Sequence, residues 1–132
     1  MEKYNVIVVN LLNKKKSNLI IEADEAETSD DILLFVKLDN NEIVGGSEGY
    51  FEAFKQLKDK LLDLNYGIKC KGSLPNVVQS GMAANSDKIY VVELGKQALR
   101  KNLVSIYEYA DIFEFSNSEE QDEFAEQWYS SL

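Results

Sequence analysis

The stretch SEGYFEAFKQLKDKLLDLN, residues 47–65, decides the fold class of this chain. Five of its apolar residues are spaced by four, three, four and three positions: Tyr50, Phe54, Leu57, Leu61 and Leu64. This spacing predicts one long amphipathic helix, with its charged residues, Lys55 and Lys58 among them, on the faces away from the core. Ser47 is the expected N-cap, and Gly67 is the expected left-handed residue that ends the helix.

Short apolar segments on both sides of this helix predict β-strands. Before the helix they are residues 4–12, 19–23, 31–39 and 42–44, and after it residues 68–72 and 88–94, with weaker pieces at 103–107 and 112–115. The first strand is rich in Val, Ile and Leu, which predicts burial on both of its faces or close to it. A short helix within residues 97–107 is the alternative to a strand there.

The C-terminal residues predict a second helix. Ser118 is followed three positions later by Gln121, which is the capping-box pattern of a helix start, and Phe124 and Trp128 follow at a spacing of four. Strands are thus grouped on both sides of one long helix, which is not the alternation of a parallel sheet. We predict a single α+β domain over residues 1–132, with an antiparallel sheet packed against one long amphipathic helix and a C-terminal helix.

The composition excludes several kinds of active site. The chain has 132 residues, no His and a single Cys, which excludes His-dependent nucleophilic catalysis and a metal centre rich in Cys or His. A single Cys also suits a reducing cytoplasm. The formal net charge of −9 argues against nucleic-acid binding, since such proteins neutralise phosphates with Lys and Arg. We therefore expect a binding protein and not an enzyme, with no cofactor and no metal.

The N-terminal residues show no pattern of export or of a membrane anchor. The first apolar run is interrupted by Asn10, and the basic cluster follows this run, whereas it precedes the apolar run of a signal peptide. The longest apolar stretches fall far short of the about 20 residues that cross a bilayer. We expect a cytoplasmic protein without a membrane partner.

The most informative feature is an acidic C-terminal region with interleaved aromatic residues. Residues 102–132 contain eight acidic residues and no basic one. The predicted partner-binding residues are these acids and two aromatics: Glu108, Asp111, Glu114, Glu119, Glu120, Asp122, Glu123, Glu126, Trp128 and Tyr129. A field of one sign attracts a basic protein, and exposed Tyr and Trp side chains provide anchoring contacts. The alternative is that the acids of the last helix only complement its dipole and keep the protein soluble.

A second acidic segment covers residues 22–31, where we expect an exposed loop. Its acids are secondary candidates for partner binding: Asp24, Glu25, Glu27, Asp30 and Asp31. The segment lacks the alternating ligands and the central Gly of an EF-hand loop, so no calcium site is predicted.

The loop at residues 73–82 is the best place for a different kind of site. Its Pro, Gly and small residues predict tight turns and close backbone approach. A nucleophilic Ser73 or Ser80 would need a lysine as its base, because the chain has no His, and the spacing of the lysines does not support such a dyad. Cys70 is expected to be a buried apolar group. A small ligand-binding domain or enzyme that uses residues 73–82 is an alternative to partner binding.

Two sets of residues resemble a known group of proteins. One set runs through the middle of the chain: Phe54, Cys70, Gly72, Asn76, Ser80, Gly81, Met82, Tyr90 and Gly95. The other is the Ser-x-x-Gln helix start with the Phe124 and Trp128 that follow it. Together they resemble the immunity proteins of bacterial polymorphic-toxin and contact-dependent-inhibition systems. Those are small, often acidic α+β domains that bind and block one cognate toxin, commonly a nuclease.

The function that this resemblance implies agrees with the charge of the chain. A nuclease presents a basic groove to nucleic acid, so carboxylates and aromatic side chains suit an inhibitor that covers the groove. We therefore expect stoichiometric occlusion of a toxin, through the acidic C-terminal region first and residues 22–31 second. A protein that mimics nucleic acid and titrates a host DNA-binding protein is the alternative use of the same charges.

Overall fold

The structure, a computed structural model, describes residues 2–132. Its helices and strands are, in chain order, β1 (Glu2–Asn10), β2 (Lys16–Glu25), β3 (Ile32–Leu38), β4 (Asn41–Ser47), α1 (Tyr50–Asp63), β5 (Tyr66–Ile68), β6 (Val77–Val78), β7 (Lys88–Val91), β8 (Leu103–Ser105) and α2 (Ser118–Ser131). The first five strands form an antiparallel sheet of order β4-β3-β2-β1-β5, and the other three form a small antiparallel sheet of order β6-β7-β8. The predicted α+β class is confirmed.

Strand β1 is buried on one face only. Val6 and Val8 face the core, whereas Ile7 and Val9 are half-buried on the opposite face of the sheet. The predicted burial on both faces, or close to it, is complete for Val6 and Val8 on the inner face and only partial on the outer face. An antiparallel sheet needs a covering layer on only one side, and a run of Val and Ile does not reveal which side that is.

Helix α1 packs against β3, β4 and β5. Four residues of the predicted apolar stripe are buried: Tyr50, Phe54, Leu57 and Leu61. Leu64, the fifth, is exposed because it is the C-cap and lies beyond the last helical residue. The helix lies so close to β4 that a Cβ atom on Gly45 would stand 2.2 Å from the Ala53 carbonyl oxygen, so only glycine fits at this crossing.

The ends of α1 differ from the prediction. Gly49 is the N-cap, while Ser47 belongs to β4. Asn65, with φ of 67°, takes the left-handed conformation after the helix that was expected of Gly67. Gly67 lies in β5, where an added Cβ atom would meet the Phe115 ring at 2.6 Å. Gly67 is therefore required at this position because it has no side chain.

The loop between β5 and β7 supplies the cap that Gly49 has no side chain to make. The Tyr50 N–H donates to the Ala84 carbonyl oxygen at 2.7 Å. The Phe51 N–H donates to Gln79 Oε1 at 3.0 Å. This turn-rich segment therefore caps the N-terminus of α1, a role that the sequence pattern did not predict.

Several predicted elements are shorter than expected or absent. Strands β5 and β7 end at Ile68 and Val91, and residues 112–115 form no strand. The alternative helix within residues 97–107 is a single turn, Arg100–Asn102, and it leads directly into β8. Apolar residues of irregular segments also pack on a core, and a short apolar run does not distinguish them from strands.

Helix α2 covers a second, smaller core: Val78, Val92 and Trp128. The N-cap is Asn117 and not the predicted Ser118, because Asn117 Oδ1 accepts the Glu120 N–H at 2.9 Å and Glu120 Oε1 accepts the Asn117 N–H at 3.1 Å. Ser118 lies inside the helix and bonds to Asp59 of α1. In the part of the chain that the structure describes, no helix is both long and apolar enough to cross a bilayer.

Candidate partner-binding surface

Helix α2 has one face on the protein and one face in solvent. Its inner face carries the buried Gln121 and Trp128. Its outer face carries Glu119, Glu123 and Glu126, which are exposed and spaced by four and three positions along one side of the helix. We call these three residues the α2 stripe. None of them forms an ion pair within residues 2–132, so their negative charge is uncompensated.

The other predicted acids of α2 have structural partners. Glu120 closes the capping box. Asp122 turns towards α1, where its Oδ1 lies 2.7 Å from Nζ of the buried Lys55. The same ammonium group lies 2.7 Å from a carboxylate oxygen of Glu52. The structure thus separates Glu120 and Asp122 from the α2 stripe, although the sequence groups all five acids together.

Residues 106–117, which we call the strap, carry the remaining predicted acids. Backbone hydrogen bonds attach the strap to residues 69–72. Asp111 Oδ1 accepts a hydrogen bond from the buried Lys69 Nζ at 2.8 Å and another from the Tyr109 hydroxyl at 3.1 Å. These bonds lower the pKa of Asp111, with Lys69 as the largest cause. The other two acids of the strap are exposed and form no ion pair in the described part of the chain: Glu108 and Glu114.

The exposed aromatic side chains differ in part from the expected ones. Trp128 is only 5% exposed, and its Nε1–H donates to the Lys96 carbonyl oxygen at 2.8 Å, so the expectation of an exposed tryptophan anchor is wrong. Its ring is needed to fill the second core. Tyr129 is exposed, as expected. Phe113 is 77% exposed, and its ring centroid lies 4.5 Å from Lys69 Nζ in a cation–π contact.

Three buried lysines attach this acidic region to the rest of the domain: Lys55, Lys58 and Lys69. Burial opposes the charge of Lys55, but hydrogen bonds to Asp122 and a second carboxylate outweigh it, so the pKa of Lys55 is raised. Lys58 Nζ donates to the Ser116 carbonyl oxygen at 2.8 Å. Burial lowers the pKa of Lys58, and Asp59 offsets only part of this effect. These three lysines anchor the region through Asp122, the Ser116 carbonyl oxygen and Asp111. None of them pairs with a carboxylate of the α2 stripe.

The second acidic segment borders a cleft at one end of the large sheet. The expectation of a loop over all of residues 22–31 is wrong, because β2 pairs with β3 as far as Glu25. Five carboxylates line two adjoining cavities of about 280 and 470 Å³: Glu2, Asp24, Glu25, Asp30 and Glu48. Glu27 and Asp31 are not among the lining residues. Among the described residues, no group of three or more His, Cys, Asp or Glu could hold a metal ion.

A groove of about 250 Å³ separates α2 from the first turn of α1. Its apolar lining includes Phe51, Val77, Val78, Ala84 and Ala125. Its polar lining includes Glu52, Lys55, Gln121, Asp122 and Tyr129. The segment at residues 77–81 forms one wall, so the loop singled out in the sequence does border a cavity. Glu52, Lys55 and Gln121 were missed, because nothing in the local pattern of either helix shows that the two helices meet.

The nucleophile considered at Ser73 is inaccessible. Ser73 is fully buried, and its Oγ lies 3.8 Å from the Cys70 Sγ. Burial raises the pKa of the Cys70 thiol to about 11, which is typical of an inert buried cysteine. Ser80, the other serine considered, lines the groove.

No protein-family model and no curated protein sequence matches this chain.

Proposed function

We propose that this protein is a non-catalytic immunity protein that binds one basic toxin domain, a nuclease, and blocks it by one-to-one occlusion. The observation that carries the proposal is the α2 stripe, whose three exposed carboxylates have no cationic partner among the described residues. Tyr129 on the same helix offers an exposed aromatic contact, and Phe113 on the strap is a second exposed aromatic side chain.

The charge of the proposed surface fits the surface that a nuclease must present. An enzyme that binds the phosphate backbone needs a groove lined with Lys and Arg. Carboxylates placed over that groove steer association and exclude the nucleic acid. Close charge pairs across such interfaces have coupling energies of about 1.5–7 kcal/mol, which is enough for tight inhibition without a covalent step.

The rigidity of the surface supports the same proposal. The first turn of α2 is fixed by its capping box and by the bond between Asp122 and Lys55. Lys58 holds the strap through the Ser116 carbonyl oxygen. A surface that is ordered before binding loses little conformational entropy in the complex. The resemblance to immunity proteins of polymorphic-toxin systems points to the same role, in the bacterial cytoplasm.

Co-expression with the product of the adjacent open reading frame tests this function. We expect the neighbour to arrest growth when it is expressed alone and this protein to restore growth. We also expect a one-to-one complex that dissociates as salt is raised, since the contacts are ionic. A harmless neighbour that forms no complex would overturn the proposal. Capture of a host DNA-binding protein in its place would favour the nucleic-acid mimic.

A further inference from the structure

The groove between α1 and α2 combines an apolar lining with one buried hydrogen-bond acceptor that lacks a donor. Gln121 lines the groove and is 1% exposed. Its Nε2 donates to the carbonyl oxygens of Gly72 at 2.9 Å and Leu74 at 2.7 Å. Its Oε1 is buried and has no hydrogen-bond partner within residues 2–132. A buried acceptor without a donor is costly, so a donor brought to this atom would be favourable.

Two carboxylates that line the same groove can accept further hydrogen bonds. Glu52 and Asp122 both bond to Lys55 Nζ at 2.7 Å, yet their side chains remain 61% and 62% exposed. An ionised carboxylate accepts about four hydrogen bonds. The lysine therefore fixes the position of both groups without using all of their acceptor sites. The same wall of the groove carries only one cation against these two anions.

We propose that this groove receives the side chain of one arginine of the protein partner. The inference rests on the proposed function, since it takes the partner to be a basic protein. A guanidinium group offers five donors in a planar fork, which suits two carboxylates and an amide oxygen. Its three methylene groups suit the lining formed by Phe51, Val78 and Ala125. The groove adjoins α2 through Asp122, so the arginine would enter beside the α2 stripe.

A titration of the free, isotope-labelled protein followed by NMR tests this inference without a toxin. The probe is N-acetyl-arginine amide, and the matched control is N-acetyl-citrulline amide, which has the same shape without the charge. We expect saturable shifts of the Gln121 side-chain amide and of the backbone amides of Gly81 and Ala125. The dissociation constant is expected near about 1 mM, and citrulline is expected to bind at least about tenfold more weakly.

Two substitutions at one glycine separate occupation of the groove from a change of fold. An added Cβ atom on Gly81 meets no atom within 4 Å, and its φ is not positive, so both variants are expected to fold. Gly81→Phe places a ring at the groove and should weaken arginine binding at least about tenfold, whereas Gly81→Ala should not change it. The inference is overturned by equal shifts with citrulline, by shifts confined to the α2 stripe, or by unchanged binding in Gly81→Phe. None of these results would affect the co-expression experiment, so the immunity function stands or fails separately.

Discussion

The two helices have the same length, 14 residues, but opposite relations to solvent. Helix α1 has eight buried residues, and two of them are the lysines Lys55 and Lys58. Helix α2 has two buried residues, Gln121 and Trp128. Lys55 and Lys58 are enclosed and bond to the segments that cover them, while the α2 stripe faces outward. The comparison shows that α1 belongs to the core of the fold and that α2 leaves most of its residues in solvent.

The largest loss of stability is expected from a substitution that disturbs the packing of α1 against the sheet. Gly45→Ala places a Cβ atom 2.2 Å from the Ala53 carbonyl oxygen and 2.7 Å from the Leu57 nitrogen, both of them backbone atoms. We expect a loss of about 3 kcal/mol in the free energy of unfolding, measured by urea denaturation. Gly81→Ala is the matched control and should change it by less than about 0.5 kcal/mol. Equal effects at the two glycines would contradict the close packing of α1.

The same change of lysine to methionine at the two buried lysines of α1 tests whether the two side chains contribute differently to stability. Lys55→Met removes a charge that Asp122 and Glu52 stabilise, and we expect a loss of about 2 kcal/mol. Lys58→Met removes a charge that burial disfavours, and we expect a loss of less than about 1 kcal/mol. Trp128, the single Trp, is the probe of α2 docking in these unfolding curves. A larger loss for Lys58→Met would show that the anchoring roles are reversed.

Asn117 caps the start of α2. Asn117→Ala removes the acceptor of the Glu120 N–H, and we expect a loss of about 1 kcal/mol with faster amide exchange in the first turn. Ser130→Ala, near the exposed end of the same helix, serves as the control and should leave both measurements unchanged. Unchanged exchange in Asn117→Ala would mean that the bonds to α1 hold the first turn without the cap.

The smallest expected effect is the pH dependence of the strap. The pKa of Asp111 is lowered in the folded state from its ordinary value of 3.8, mainly by Lys69. Its contribution to stability is therefore present above that value and is lost as the pH falls through the lowered pKa. The difference in unfolding free energy between the wild type and Asp111→Asn should be constant near about pH 6 and should shrink as the pH falls below 3.8. A difference that persists in acid would contradict the ionic role of Asp111.

Local patterns in the sequence predict the fold class well. Four of the five residues of the α1 stripe and the strand character of β1 to β4 are confirmed, because such patterns are local properties of the chain, whereas β5 shares only Ile68 with the strand predicted at residues 68–72. The ends of elements are less well predicted. Asn65 replaces Gly67 as the left-handed residue, and Asn117 replaces Ser118 as the N-cap, because neighbouring residues of similar chemistry compete for these positions.

The candidate site depends on contacts that no local pattern contains. Lys55 and Lys58 lie on faces of α1 that a helical period assigns to solvent, yet the strap and α2 cover them. The position of Trp128 among acids suggests an exposed anchor. Its side chain is instead part of the second core, which cannot be recognised from the local sequence. The acidic character of the C-terminal region was readable from the sequence. The sequence did not reveal which of these acids bond to the rest of the domain and which remain unpaired.

The affinity of the proposed toxin partner for two charge variants decides whether α2 binds it. One variant carries Glu119→Gln, Glu123→Gln and Glu126→Gln on the α2 stripe, and the other carries Glu25→Gln, Glu27→Gln and Asp30→Asn in the second acidic segment. Both remove three charges without reversing any. We predict that the first weakens binding at least about 100-fold and flattens its salt dependence, while the second stays within about threefold of the wild type. The opposite ranking, or no change in either variant, would contradict the claim that α2 presents the binding surface.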